Sequence, residues 1–178
     1  MVSIIHPGKD IHLKPLNIEI VERLVPLIQN KDNFEKLNKY VLWVGKPDLK
    51  DLLNHWYNES LEGKAIVMVA EYKNKIAGLF KILDINQTDQ TGELGYLLLP
   101  AFTKKGIALK SCKSILEVAF NNLRLNQVYA ETFSNNMDSQ TLLRRLGAKY
   151  INTTPKAGVH NGEFYNEQRW VVTKTLLQ

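Results

Sequence analysis

Between residues 65 and 133 the chain carries three apolar runs of strand length, one amphipathic helix and a fourth apolar run, an order that restricts the fold strongly. "AIVMVAEYKNKIAGLFKILDI" (65–85) reads as two strands around a turn at Tyr72 to Lys75, and "TGELGYLLLP" (91–100) as a third after a polar loop. After Gly106, the residues Ala108, Cys112, Ile115, Leu116, Ala119, Phe120 and Leu123 recur at steps of three and four, which predicts a helix over 107–123. "QVYAETF" (127–133) is the next strand, and the short helical crossover predicts that it runs parallel to 91–100. Upstream, 11–16 reads as a strand, 17–30 as a helix with Pro26 as a kink point, and 46–63 as a helix with Pro47 near its start. Downstream, 138–147 is a short helix ended by Gly147, and 148–154 and 163–177 are strands. The expected fold is α/β: a mixed, mostly antiparallel sheet with one parallel pair, flanked by helices.

The start of the helix 107–123 is crowded by Lys104, Lys105 and Gly106. A helix N-terminus presents N–H groups without partners and partial positive charge, a glycine lets the backbone approach a ligand, and two lysines add formal charge. Phosphate suits such a place; an ordinary helix start with solvated lysines suits the same residues. The turn also sits at the C-terminal edge of the strand 91–100, where α/β sheets tend to bind ligands.

Composition narrows the classes. At 178 residues, 44% apolar and 23% charged, the chain reads as one domain spanning 1–178. "MVSIIHPGKDIHLK" lacks the apolar run of a signal peptide, and no stretch is long enough to span a membrane, so the expected location is cytoplasmic. The lone Cys112 lies on the helical stripe and reads as a buried thiol. His6, His12, His55 and His160 lack metal-ligand spacing, so no metal is expected. A net charge of +5 favours an anionic partner, but the basic residues are scattered, and direct nucleic-acid binding is not expected. A monomer and a homodimer stay equally open.

"GELGYLLLPAFTKKGIALKSCKSILEVAF", followed by "SNNMDSQTLLRRLGAKY", resembles the GNAT superfamily of N-acetyltransferases, in particular its ribosomal-protein N-terminal acetyltransferase (Rim-type) branch. "LNKYVLW" and "HNGEFYNEQRW" extend the resemblance over nearly the whole chain. It implies acetyl-CoA as cosubstrate, its pyrophosphate held by the amides of Lys104, Lys105, Gly106, Ile107, Ala108 and Leu109, with Thr103 departing from the family's usual long polar side chain. It further implies that the main chain of Leu97, Leu98 and Leu99 pairs with the pantetheine arm, where the strand splays from its parallel neighbour, and that a backbone N–H of Leu97 or Leu98 meets the oxyanion. Glu93 matches the family's general base, although a structural glutamate fits the residue equally well. Asn136 and Ser139 match the N-x-x-S element, with Asn136 on pantetheine and Ser139 as proton donor to the thiolate; helix capping explains the same residues. A further carboxylate found in some relatives is replaced here by Gly158 unless Glu163 substitutes. Tyr40, Trp43 and Phe164 are groove walls or plain core, and His160 is an exposed loop residue or faces substrate.

The acceptor implied by the resemblance is a protein N-terminal amine of ribosomal type. Chemistry agrees, because an α-amine is roughly a tenth neutral at pH 7 whereas a lysine amine is neutral only to about 0.04%. The alternatives are a small amine, polyamine or aminoglycoside, and a non-catalytic acyl-CoA-binding regulatory module.

Overall fold

The computed structural model describes residues 3–42 and 48–176. Trp43 and Pro47 lie outside the described residues. In chain order the elements are β1 (Ile5–Gly8), β2 (Ile11–Pro15), α1 (Ile18–Gln29), α2 (Lys31–Leu37), α3 (Leu49–Leu61), β3 (Ile66–Tyr72), β4 (Lys75–Asn86), β5 (Thr91–Leu98), α4 (Ile107–Asn121), β6 (Gln127–Phe133), α5 (Met137–Arg145), β7 (Lys149–His160) and β8 (Glu163–Thr173). The strands form one eight-stranded sheet in the order β1-β2-β3-β4-β5-β6-β8-β7. All neighbours pair antiparallel except β5 and β6, which are parallel. The mixed α/β architecture expected from the pattern is the one observed.

Each face of the sheet buries its own core. On one face α4 lays down Ile107, Cys112, Ile115, Leu116, Ala119 and Phe120 against Met68, Phe80, Leu94 and Val128. On the other, Leu24, Ile28, Leu49, Leu53 and Trp56 of α1 and α3 cover Val67, Val69, Leu79 and Leu97. This is why β3 reads as a continuous apolar run: a strand covered on both faces has no polar side. In β5 the alternation sends Leu94 to the α4 core and Leu97 to the other. Truncating Leu116 to alanine in such a core costs about 2–5 kcal/mol.

Two elements escape the sequence pattern, and one is longer than it suggests. β1 is four residues, "IHPG", too short to show a period. α2 is seven residues with Leu37 as its buried side chain; the capping oxygen of Asn30, which accepts from Asp32 N–H at 3.2 Å, sets where it begins. β7 continues to His160 instead of ending near 154, through a bulge between Thr154 and Gly158. Its hairpin to β8 turns on Asn161 (φ 51°) and Gly162 (φ 81°), the paired positive values that a two-residue turn between twisted strands needs.

Candidate active site

β5 is paired on both edges only at its beginning. Thr91, Gly92 and Glu93 pair with Gln127, Val128 and Tyr129 of β6. From there the two strands part, β5 following β4 as far as Leu98 and β6 following β8 as far as Phe133. The hydrogen-bond phase along β5 says which groups are left over. Leu99 N–H donates to Ala77 O at 2.8 Å, and Leu97 O is turned to β4, so close that a Cβ on Gly78 would fall 2.2 Å from it. Alternation along an antiparallel pair then directs the main-chain groups of Tyr96 and Leu98 to the opposite edge, into the gap. A buried main-chain amide needs a partner. A cavity of ≈ 590 Å³ fills the gap, lined by Leu94 to Leu98, by Phe133 and Ser139, and by the turn that leads into α4.

That turn ends the gap with unpartnered donors. Lys104 (φ 60°) and Gly106 (φ 73°) are left-handed with Lys105 between them, a sequence of conformations that gathers successive N–H groups into a concavity suited to an anion. Gly106 is the N-cap of α4 and no side chain caps the helix, so its first amides face the cavity through Ile107, Ala108 and Leu109. Nothing lies within 4 Å of where a Gly106 Cβ would stand, so space for a ligand is open. The turn is braced from behind: Thr103 Oγ donates to Pro100 O at 2.9 Å and Lys105 Nζ to Ala101 O at 2.9 Å.

The side chains around the gap fall on two faces. Toward α4 and α5, Tyr96 Oη and Ser139 Oγ are 2.6 Å apart. Burial raises the Tyr96 phenol well above its ordinary range. Toward the other face, Glu93 of β5, Glu131 of β6 and Glu167 of β8 converge on the cavity. Burial first, then the charge of Glu131, raises the Glu93 carboxyl; the same two causes raise Glu167, which shares a hydrogen bond with Glu131. Arg169 offsets part of this charge through its 3.2 Å pair with Glu131. Lys81, buried on β4, lines the same wall.

The Acetyltransferase (GNAT) domain family matches residues 11–149. The chain belongs to the GNAT acetyltransferases. YdaF of Bacillus subtilis (strain 168), named as a candidate ribosomal N-acetyltransferase, is 25% identical over 79% of this chain and 78% of its own length. The spermidine N(1)-acetyltransferase of Escherichia coli (strain K12) is 23% identical over 91% and 85%. Among solved structures, RimL, the ribosomal L7/L12 alpha-N-protein acetyltransferase in complex with coenzyme A, superposes with a TM-score of 0.88 at 17% identity, covering 96% of this chain and 97% of that one.

Within this GNAT fold the residues singled out from sequence separate. Glu93, Leu97, Leu98, Lys104, Gly106, Ile107, Ala108, Leu109, Asn136 and Ser139 all line one cavity. Leu99 does not, and its main chain is fully used: besides the bond to Ala77, its carbonyl accepts from Phe102 N–H at 2.9 Å. Leu97 lines the cavity but turns its carbonyl to β4, so of the three leucines Leu98 is the one with main chain facing the gap, and Tyr96 joins it. The Lys105 ammonium folds back on Ala101, away from the cavity. Asn136 is the N-cap of α5, its Oδ1 accepting from Ser139 N–H at 3.1 Å, which leaves the Ser139 hydroxyl free of capping and bonded to Tyr96.

The groove residues also sort themselves. Tyr40 lines the cavity and packs edge-on to Phe133, whereas Phe164 is 68% exposed on the strand face opposite Tyr165 and Glu167. His160 is no free loop residue: its Nε2 is hydrogen-bonded to Asn38 O and its ring packs on Phe133, tying the β7–β8 hairpin to the end of α2. Glu163 stands opposite His160 at the hairpin end, outside the cavity lining. A Cβ on Gly158 would fall 2.8 Å from the Tyr165 ring, so close packing accounts for that glycine. Sequence reasoning missed Tyr96, Lys81, Glu131 and Glu167; strand register sets where each of them stands, and alternation within "YAETF" and "YNEQRW" is a signal for the two glutamates alone.

Proposed function

We propose that this GNAT enzyme transfers the acetyl group of acetyl-CoA directly to the N-terminal amine of a protein. The observation that carries the reading is the edge of β5 left without a partner beside the uncapped start of α4, because an extended chain of amides ending in a pyrophosphate satisfies both. The amides of Lys104 to Leu109 would hold the pyrophosphate, and the main chain of Tyr96 and Leu98 the pantetheine, with Asn136 alongside. The bound donor supplies an activated acetyl thioester. Glu93, raised by burial, takes the proton from the attacking amine. The Leu98 N–H, turned into the gap, would meet the carbonyl oxygen as it gains charge. Ser139 lends its proton to the departing sulfur, with the Tyr96 hydroxyl holding it in place at 2.6 Å.

An α-amine is the acceptor this carboxylate can serve with least effort, being about a tenth neutral at pH 7. The relatives named for ribosomal proteins support the same reading. One observation favours a second acceptor, a polyamine: Glu93, Glu131 and Glu167 gather at the cavity of a chain whose net charge is +5. Free-thiol release from acetyl-CoA, followed with N-terminal peptides, polyamines and aminoglycosides, decides between them. Release with the peptides is expected; release with polyamines alone overturns the acceptor, and silence across the panel favours an acyl-CoA-binding regulatory module.

A further inference from the structure

Lys81 stands in the middle of β4, 8% exposed, directly opposite Gly95 in the register. The missing side chain at Gly95 is what admits it. A Cβ there would fall 2.7 Å from Lys81 Cε and 3.3 Å from Nζ, so the lysine stem lies flat across β5 between Glu93 and Leu97. Its ammonium caps the Trp56 ring at 3.9 Å from the centroid and makes no ion pair among the described residues. A leucine or methionine would pack in this place without the cost of burying a charge. Lys81 also lines the cavity, in company with Glu93.

We propose that Lys81 is a self-acetylation site: with acetyl-CoA in the gap and no acceptor present, its ε-amine receives the acetyl group, and the resulting acetamide obstructs the acceptor side. This rests on the donor reading above. In the transfer, the Nζ lone pair bonds to the acetyl carbonyl carbon and the carbon–sulfur bond breaks. Of the two protons the ammonium loses, one ends on the coenzyme A thiol and the other, by way of Glu93, in solvent.

The amine is suited to this chemistry by its surroundings. Burial lowers it to about 8 against the opposing charges of Glu93 on β5, Asp84 on β4 and Glu59 on α3, while its β3 neighbour Val67 is apolar. At pH 7 about a tenth of such amines are neutral, against roughly 0.04% for an exposed lysine, so Lys81 has an advantage on the order of 100-fold.

The test is to incubate the protein with acetyl-CoA alone and follow intact mass and peptide maps. One acetyl group on Lys81, forming about 100-fold faster than on exposed lysines such as Lys75 and slowed by excess coenzyme A that leaves Lys75 unaffected, is the expected result. Lys81→Arg, which keeps the cation, should remove that single-site product. Two results overturn the proposal alone: calorimetric binding of acetyl-CoA with Lys81 unmodified, or acetylation of Lys81 at the rate of Lys75. Absence of any acetyl-CoA binding overturns the donor reading and this inference with it.

Discussion

The proposed donor half and acceptor half of the cavity meet along β5 but are built from different materials. On the donor half the groups offered are main chain: the edge of Tyr96 and Leu98 where β5 leaves β6, and the uncapped amides after Gly106. On the acceptor half they are side chains from three separate strands, Glu93, Glu131 and Glu167, with Lys81 beside them. Main-chain recognition tolerates sequence change so long as the backbone path is kept, whereas the acceptor half changes with every substitution. A family can therefore keep one donor while its acceptors diverge.

The contrast breaks first at Gly106. Gly106→Glu forces a side chain into a left-handed position and sets a carboxylate at the anion site, and calorimetry should find acetyl-CoA affinity reduced by ~100-fold or more. Lys105→Ala, next to Gly106 in sequence but with its ammonium folded onto Ala101, should change it by less than about 3-fold. A large loss from Lys105→Ala would mean that side-chain charge, not main chain, holds the donor.

Glu93→Gln tests the other half. Turnover should fall by ~10²–10³-fold with acetyl-CoA affinity unchanged. The same substitution should stabilise the fold at neutral pH. Because burial raises the Glu93 carboxyl above its ordinary 4.5, the stability it contributes is full at low pH and is lost as pH rises through the raised value. Thermal melting should therefore rank Glu93→Gln above wild type at pH 7, with the gap closing towards pH 4. Equal melting at both would mean that Glu93 is satisfied as a structural glutamate.

A smaller effect, about 10-fold on kcat with KM for acetyl-CoA nearly constant, is expected for Ser139→Ala and for Tyr96→Phe. The double variant should lose little more than either single, since both act through one hydrogen bond. Full additivity would separate them. The smallest effect is a shift in pH dependence: Glu131→Gln removes a charge that raises Glu93 and frees Arg169, which lowers it, so the acidic limb of kcat/KM should move to lower pH. A limb that stays in place would detach Glu131 from the base.

The same contrast explains what could be read from the sequence. The donor half is local: the strand "TGELGYLLLP", the turn at Gly106 and the apolar stripe of α4 are consecutive, so period and turn chemistry suffice to locate them. Even there, the phase of hydrogen bonding is invisible in the sequence, which is why the resemblance groups Leu97 and Leu99 with Leu98 although Leu99 N–H is bonded to Ala77 O. The acceptor half depends on pairings such as Lys81 with Gly95 and Phe133 with Glu167, set by register between distant strands. No local pattern encodes those, and short elements such as β1 and α2 leave too few residues for a period to emerge.

Amide hydrogen exchange measured with and without acetyl-CoA tests the donor half most directly. Slowed exchange at Tyr96, Leu98 and Ile107 to Leu109, with Leu97 and Leu99 unchanged because β4 already holds them, is the expected result. Unaltered exchange at Tyr96 and Leu98 under saturating acetyl-CoA would contradict the assignment of the gap between β5 and β6 as the donor site.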